Sequence, residues 1–252
     1  IGILDGKKRS IYFSLLTCAK YKVLFTYKKT YKSFLNFFFF KIFYDDDCLN
    51  KISEIEELLN LLNFNLETDD LNTINKNSVL TKDLVIPLYN KYSLLHFDEK
   101  WIFNDYIKDY ISIEPDSESI LITFLEQLII KTNKDLYISK GNPTNKFIIF
   151  IKKNFIQIEQ NVYELKFKDN KIIFFDNINF LQLEKLILNS SLLITCHGAA
   201  THVAASFNLR IIDIIDNSEK VFFDKWTNHF RNYKKLSRVE FVKLSKNIIN
   251  LI

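Results

Sequence analysis

Ser191-Leu192-Leu193-Ile194-Thr195-Cys196-His197-Gly198-Ala199-Ala200-Thr201-His202-Val203-Ala204-Ala205 is the stretch whose reading decides the fold. Its first part, 191–195, is a short apolar run that reads as a buried strand, and 199–207 has the small-residue spacing of a helix packed close to a sheet. Gly198 marks the turn between them. A helix that starts at such a turn points its unmatched N–H groups outward, and they carry partial positive charge that favours a phosphate. The small side chains let a ligand come close to the backbone. His202, on the first helical turn, could donate to a phosphate oxygen, and Thr201 could add its hydroxyl. The plainer reading keeps Gly198 as a tight strand-to-helix turn only. On that view Ala199, Ala200, Ala204 and Ala205 serve helix–sheet packing and the histidines are bystanders. Both readings stay open on these residues alone.

Working outward, the same rhythm continues. Residues 210–215 read as a strand and 239–252 as an amphipathic helix. Upstream, 84–89 and 92–96 are extended segments about a turn. Residues 119–132 repeat at helical spacing through Ile120, Leu121, Phe124, Leu125, Leu128 and Ile129. A short strand at 136–139 ends at Lys140-Gly141-Asn142-Pro143. A helix over 144–153, a strand over 171–175 and a helix over 179–189 follow, the last with Leu181, Leu183, Leu186 and Ile187 inward. Strand and helix alternate with short connections, the pattern of an α/β fold whose parallel sheet is covered on both faces. The first ninety residues are more broken: a strand end at 1–4, a helix over 10–19, a short strand at 22–25, and a helix over 52–63. In that helix Ile52, Ile55, Leu58, Leu59 and Leu62 form one face, and Glu54, Glu56 and Glu57 the other. Asp45, Asp46 and Asp47 precede it, where negative charge suits the helix dipole. The polar stretch 65–77 suits a linker or surface loop.

Composition narrows the function classes. In 252 residues, 34 Lys+Arg against 30 Asp+Glu leave a net charge of +4, spread along the chain with no basic stripe, which argues against a dedicated nucleic-acid binder. A 48% hydrophobic and 25% charged content is that of a globular chain long enough for one large or two smaller domains. Cys18, Cys48 and Cys196 are widely spaced and form no metal-ligand pattern, so they read as thiols in a reducing compartment, with no metal site expected. The apolar run 34–44 is too short to span a bilayer; it reads as core, with a helix resting on a membrane surface as the alternative. No signal peptide is recognisable at the first residues. With no methionine at all, the chain reads as a fragment or processed product lacking its natural start. No Gly-x-Ser-x-Gly elbow, Walker loop or dinucleotide fingerprint is present, so a serine hydrolase, an ATPase and a dehydrogenase all lack support.

A second cluster is Leu95-His96-Phe97-Asp98-Glu99-Lys100-Trp101. At a strand exit Lys100 could reach a diphosphate and Trp101 could wall a pocket, although a surface lysine beside a half-buried tryptophan is the simpler account. Asp213, Asp216, Trp226, His229 and Arg231 read as structural.

In this order the pieces resemble the heptosyltransferase family, glycosyltransferase family 9. Asp98-Glu99-Lys100-Trp101 is similar to the family's strand-exit loop bearing Lys and Trp. Ile138-Ser139-Lys140-Gly141-Asn142-Pro143 resembles its Gly-rich turn. Ile194 to Ala205 occupies the place of its Asp-Thr-Gly-x-x-His-x-x-Ala-Ala motif, with His197 where the family has the acidic residue. Leu4-Asp5-Gly6-Lys7-Lys8-Arg9-Ser10 resembles its strand and Arg-Ser turn. The resemblance implies a GT-B-like α/β fold, two Rossmann-like domains with parallel sheets facing a cleft. It implies a partial acceptor-side domain over 1–82, a nucleotide-sugar-binding domain over 83–236 and a C-terminal helix over 237–252. It further implies a bacterial, metal-independent, inverting glycosyltransferase of lipopolysaccharide biosynthesis. Such an enzyme moves a heptose-like sugar from a nucleotide-diphosphate donor, ADP-linked in the first instance, to a glycan or lipid-linked saccharide, with no other cofactor and no nucleic acid as partner. Lys100, Gly198, Ala199, Ala200, Thr201 and His202 would bind the donor diphosphate, with Trp101, Gly141 and His197 around the donor pocket. The family's catalytic Asp would lie upstream of Ile1, so no general base is nominated. A cytoplasmic place follows. The basic segments 7–9 and 28–32 would meet the acceptor at the inner membrane surface, or else form a solvated face. The alternatives are a non-catalytic nucleotide-sugar-binding or assembly protein of the same fold, and a different sugar transferase with a His-Gly-Ala turn.

Overall fold

The computed structural model describes residues 2–3, 8–20, 22–26, 39, 41–44, 53, 55–56, 59–60, 91–101, 117–141, 146–216, 218 and 220–252. The chain divides into two compact units. One comprises Ile1–Leu71 and Val221–His229, and the other Asn72–Lys220 and Phe230–Ile252.

In the first unit β1 (Gly2–Ile3), β2 (Val23–Thr26) and β3 (Lys41–Tyr44) form a parallel sheet in the order β1-β2-β3. Helix α1 (Lys8–Leu15) lies between the first two strands in sequence. Ile11, Leu24 and Phe39 form a small buried core with Leu15 packed on it. Residues 53, 55–56 and 59–60 are helical, within the stretch read as amphipathic. The readings placed on 45–47, 65–77 and 84–89, and most of the phenylalanine run, fall outside the described residues.

The second unit is built on an eight-stranded sheet. In chain order its elements are β4 (Tyr92–Phe97), α2 (Ser117–Thr132), β5 (Leu136–Lys140), α3 (Lys146–Asn154), β6 (Ile156–Glu159), β7 (Val162–Phe167), β8 (Asn170–Phe175), α4 (Phe180–Asn189), β9 (Ser190–Cys196), α5 (Ala199–Ser206) and β10 (Arg210–Ile215). Then come α6 (Lys220–Thr227), nearly all of which belongs to the first unit, β11 (Tyr233–Ser237) and α7 (Phe241–Leu251). The spatial order is β11-β10-β9-β4-β5-β8-β7-β6. All pairs from β11 to β8 are parallel, whereas β8–β7 and β7–β6 are antiparallel. The sheet is therefore mixed, with a hairpin added at one edge, and not parallel throughout as the alternation suggested.

Strands β4 and β9 sit in the middle and are buried on both faces between two helical layers, with Leu94, Leu95, Leu193 and Ile194 at their centre. On one face Leu95, Phe97, Ile194, Ile212 and Ile214 pack against α2, α3 and α7 through Leu125, Phe147, Ile148 and Leu244. On the other, Leu94, Tyr137, Leu193 and Ile211 pack against α4 and α5 through Leu186, Ile187, Ala200 and Ala204. Within α4 the inward face is Leu186 and Ile187, with Leu183 partly buried. Leu181, read as inward, is about half exposed. The helix opens with a reciprocal cap: the Gln182 N–H donates to Asn179 Oδ1 at 2.9 Å, and the Asn179 N–H to Gln182 Oε1 at 2.8 Å.

Candidate functional site

From β4 the chain steps to β5 and then β8, and afterwards returns to place β9, β10 and β11 on the other side of β4. The strand order thus reverses between β4 and β9, and in open α/β sheets the crevice beyond the carboxyl ends at such a point is where ligands collect. The segments leaving these two strands are those that carry Lys100 and Gly198.

Lys100 lies in a single 3₁₀ turn, Glu99–Trp101, directly after β4. Its Nζ donates to Asp98 Oδ2 at 3.0 Å and to the His197 carbonyl at 2.8 Å, while its own N–H donates to Asp98 Oδ1 at 3.0 Å. The ammonium is thereby held against the turn after β9. A Cβ on Gly198 would stand 2.8 Å from that Nζ. Gly198 is extended, with φ at 179°, so it is the close approach of Lys100 that requires glycine here, not the backbone conformation. Two motifs about a hundred residues apart in sequence share one spot.

The turn is fixed from behind by a carboxylate. Asp213, fully buried among the isoleucines of β10, accepts from His197 Nδ1 at 2.6 Å and from the Tyr233 hydroxyl at 2.6 Å on Oδ2, and from the Thr201 hydroxyl at 3.1 Å on Oδ1. Thr201 Oγ1 in turn accepts the Gly198 N–H at 3.3 Å. Thr201 therefore points into the protein and braces the turn, its hydroxyl already committed on both sides. Ala199 and Ala200 supply the first amides of α5, which have no carbonyl partner within the helix. His202 is partly exposed, and its ring meets His197 edge-on at 5.2 Å and Phe230 at 5.4 Å. Phe230 meets Tyr233 at 5.3 Å, which closes the string back to Asp213.

Beside this turn, on the β5 and β8 side, lies a cavity of about 370 Å³ lined by residues from His96 and Lys140 to Asn179 and Leu183, with Gly141 and Phe180 among them. The Gly141 N–H donates to the Phe97 carbonyl at 2.7 Å, which ties the β5 exit to the β4 exit. Asp176 is held by Lys152 at 2.7 Å and Lys140 at 3.5 Å. His96 is hydrogen-bonded through Nδ1 to Ser139 Oγ at 2.9 Å. Burial, aided by the nearby Lys100 charge, lowers its pKa to about 4, so the imidazole is neutral near pH 7.

Trp101, expected as a pocket wall, is fully buried. It packs edge-on against Phe97, and its indole N–H donates to the His96 carbonyl at 2.8 Å. Of the nine residues nominated from sequence, Lys100, His197, Gly198, Ala199, Ala200, Thr201 and His202 come together at the turn, and Gly141 lines the adjoining cavity. Asp213, read as structural, is a part of the site that sequence reasoning missed, together with Asp98, His96 and Tyr233. The signal for Asp213 was present: a lone carboxylate inside Arg-Ile-Ile-Asp-Ile-Ile needs partners when that strand is buried. Among the described residues no cluster of three or more His, Cys, Asp and Glu side chains is arranged for a metal ion. No described helix is long and apolar enough to cross a membrane.

No family model matches the chain, and no curated protein matches it in sequence. The fold is nevertheless of a known class, the GT-B-like α/β architecture of heptosyltransferases. The solved structures it resembles include the E. coli heptosyltransferase WaaC with ADP-2-deoxy-2-fluoro heptose, at a TM-score of 0.61 and 10% identity over 99% of this chain and 71% of that one. WaaC with ADP gives a TM-score of 0.59 at 9% identity, over 100% of this chain and 71% of that one.

Proposed function

We propose that the chain is a glycosyltransferase that moves a heptose-like sugar from a nucleotide-diphosphate donor to a glycan or lipid-linked saccharide, with inversion and without a metal. The observation that carries this reading is the convergence of Lys100, the His197 carbonyl and Gly198 at the switch point between β4 and β9. A departing nucleoside diphosphate gains negative charge as the glycosidic bond breaks. A fixed ammonium and the amides opening α5 stabilise that charge without having to reorganise. The cavity beside the turn, reached from Gly141 and Asn179, suits the nucleoside, with the neutral His96 as a hydrogen-bonding wall. WaaC has been solved with ADP and with an ADP-linked heptose analogue, which makes an ADP-linked donor the first to try. The acceptor hydroxyl would attack the anomeric carbon from the face opposite the diphosphate.

The reading is tested by melting the chain with ADP, UDP, GDP and CDP, alone and as His202→Ala. A diphosphate bound only by the folded state adds about 2.7 kcal/mol at a hundredfold excess over its Kd. One base giving a shift that the variant loses supports the donor site, and no shift with any of the four abandons it. Transfer that continues in EDTA supports the metal-independent step; transfer abolished by EDTA and restored by a divalent cation removes it.

A further inference from the structure

Arg238 follows β11 and extends its pairing with β10, its N–H donating to the Ile215 carbonyl at 2.9 Å. The register sets Ile214 beside both Cys196 and Leu236. The His197 N–H likewise donates to the Ile214 carbonyl at 3.1 Å, so the pairing runs one residue past β9 and β11 and puts Asp216 and Arg238 at the strand ends on the side of the Gly198 turn. Two inter-strand spacings, about 10 Å, separate Arg238 from the Gly198 turn at the backbone, a gap that a long arginine side chain largely spans. Arg238 is only 6% exposed, and neither its Nε nor its Nη1 has a hydrogen-bond partner. No ion pair to it is found among the described residues. The Cys196 thiol, buried two residues before Gly198, feels the surrounding charges. Burial pushes it up, Asp98 pushes it further, Arg238 pulls it down, Asp213 pushes up and Lys100 pulls down. By the strand order, Lys100 after β4 and Arg238 after β11 lie on either side of the β9 exit.

A guanidinium buried with unmatched donors does nothing for the stability of its own fold, since its desolvation is not offset. Such a group is more economically explained by an external anion. Lys100 shares its ammonium with Asp98, which leaves room for a second cation to meet a doubly charged diphosphate. Resting on the donor-site reading above, we propose that Arg238 is an anion-binding residue of that site, its guanidinium taking an oxygen of the donor diphosphate from the side opposite Lys100.

The test is calorimetric titration of the full chain with inorganic pyrophosphate, with ADP, UDP, GDP and CDP, and with the corresponding nucleosides, alongside melting of the unliganded protein. Arg238→Met is expected to weaken pyrophosphate and the preferred diphosphate about tenfold or more, because a charge-assisted contact is lost. It should leave nucleoside affinity unchanged and melt no lower than the parent when unliganded. Arg238→Lys, which keeps the charge without the planar fork, should lose less. Unchanged pyrophosphate affinity in both variants overturns the proposal, as does an unliganded Arg238→Met that melts lower while binding normally, the behaviour of a structural arginine. If a nucleoside diphosphate binds and Arg238 makes no difference, this inference fails and the donor site stands. If pyrophosphate binds through Arg238 and no nucleotide binds better, the anion site stands and the nucleotide-sugar reading falls. Binding of neither removes both.

Discussion

Asp213 answers for the shape of the turn. With three hydroxyl or ring N–H donors aimed at one buried carboxylate, an amide in its place sets its own donor against at least one of them. Asp213→Asn should therefore cost about 2–3 kcal/mol in urea unfolding, and Tyr233→Phe about 1 kcal/mol. Gly198→Ala separates fold from site. Its extended backbone tolerates alanine, and the neighbour at 2.8 Å is the far end of a flexible lysine. The variant should fold with a near-parental melting temperature yet bind the preferred nucleoside diphosphate more weakly, because Lys100 must leave the His197 carbonyl; a variant binding as tightly as the parent would show that Lys100 is not needed there. At this scale Lys100 and the His-Gly-Ala turn were legible because their chemistry stands at strand exits. The inward turn of Thr201 and the partnership of His197, Asp213 and Tyr233 were not, because residues 16 and 20 positions apart meet only through the pairing of β9, β10 and β11.

At the scale of elements, the sequence was readable where helix or strand is buried on a defined face. The strand read at 210–215 is β10, residue for residue, and the helix read at 179–189 is α4 with its cap. The hairpin β6–β7 was missed because Ile-Gln-Ile-Glu is a wholly exposed edge strand and Val-Tyr-Glu-Leu-Lys-Phe beside it is only partly buried, with Tyr163, Leu165 and Phe167 alternating against the core among polar residues, so neither shows the apolar run of a central strand. β11, the opposite edge, was missed for the same reason. The capping box of α4 offers a local test beside the cavity. Asn179→Ala should destabilise by about 1 kcal/mol in urea, and Gln182→Ala by less, because the asparagine caps an N–H inside the helix and the glutamine reaches only the preceding residue.

For the whole molecule, acidity is the sharpest lever. The imidazole of His96 has a folded pKa of about 4 against 6.5 when unfolded, so between these values the unfolded chain binds the extra proton. Stability is then complete above pH 6.5 and is lost as pH falls through that window, by roughly 3 kcal/mol in all. His229, also pushed down by burial, acts in the same sense. Melting temperatures measured from pH 7 to 4 should fall for the parent and fall less for His96→Asn; equal slopes would show that His96 is not the group responsible. One further property follows from where the two tryptophans lie. Trp101 is in the second unit, next to Lys100 and bonded to the His96 carbonyl, and Trp226 is in the first. Each unit therefore carries its own intrinsic fluorophore. With Trp226→Phe the remaining emission comes from an indole sealed in the core one residue from the ammonium, so an arriving anion would alter its electric field and shift its spectrum, and the site can be watched by light alone, without a label.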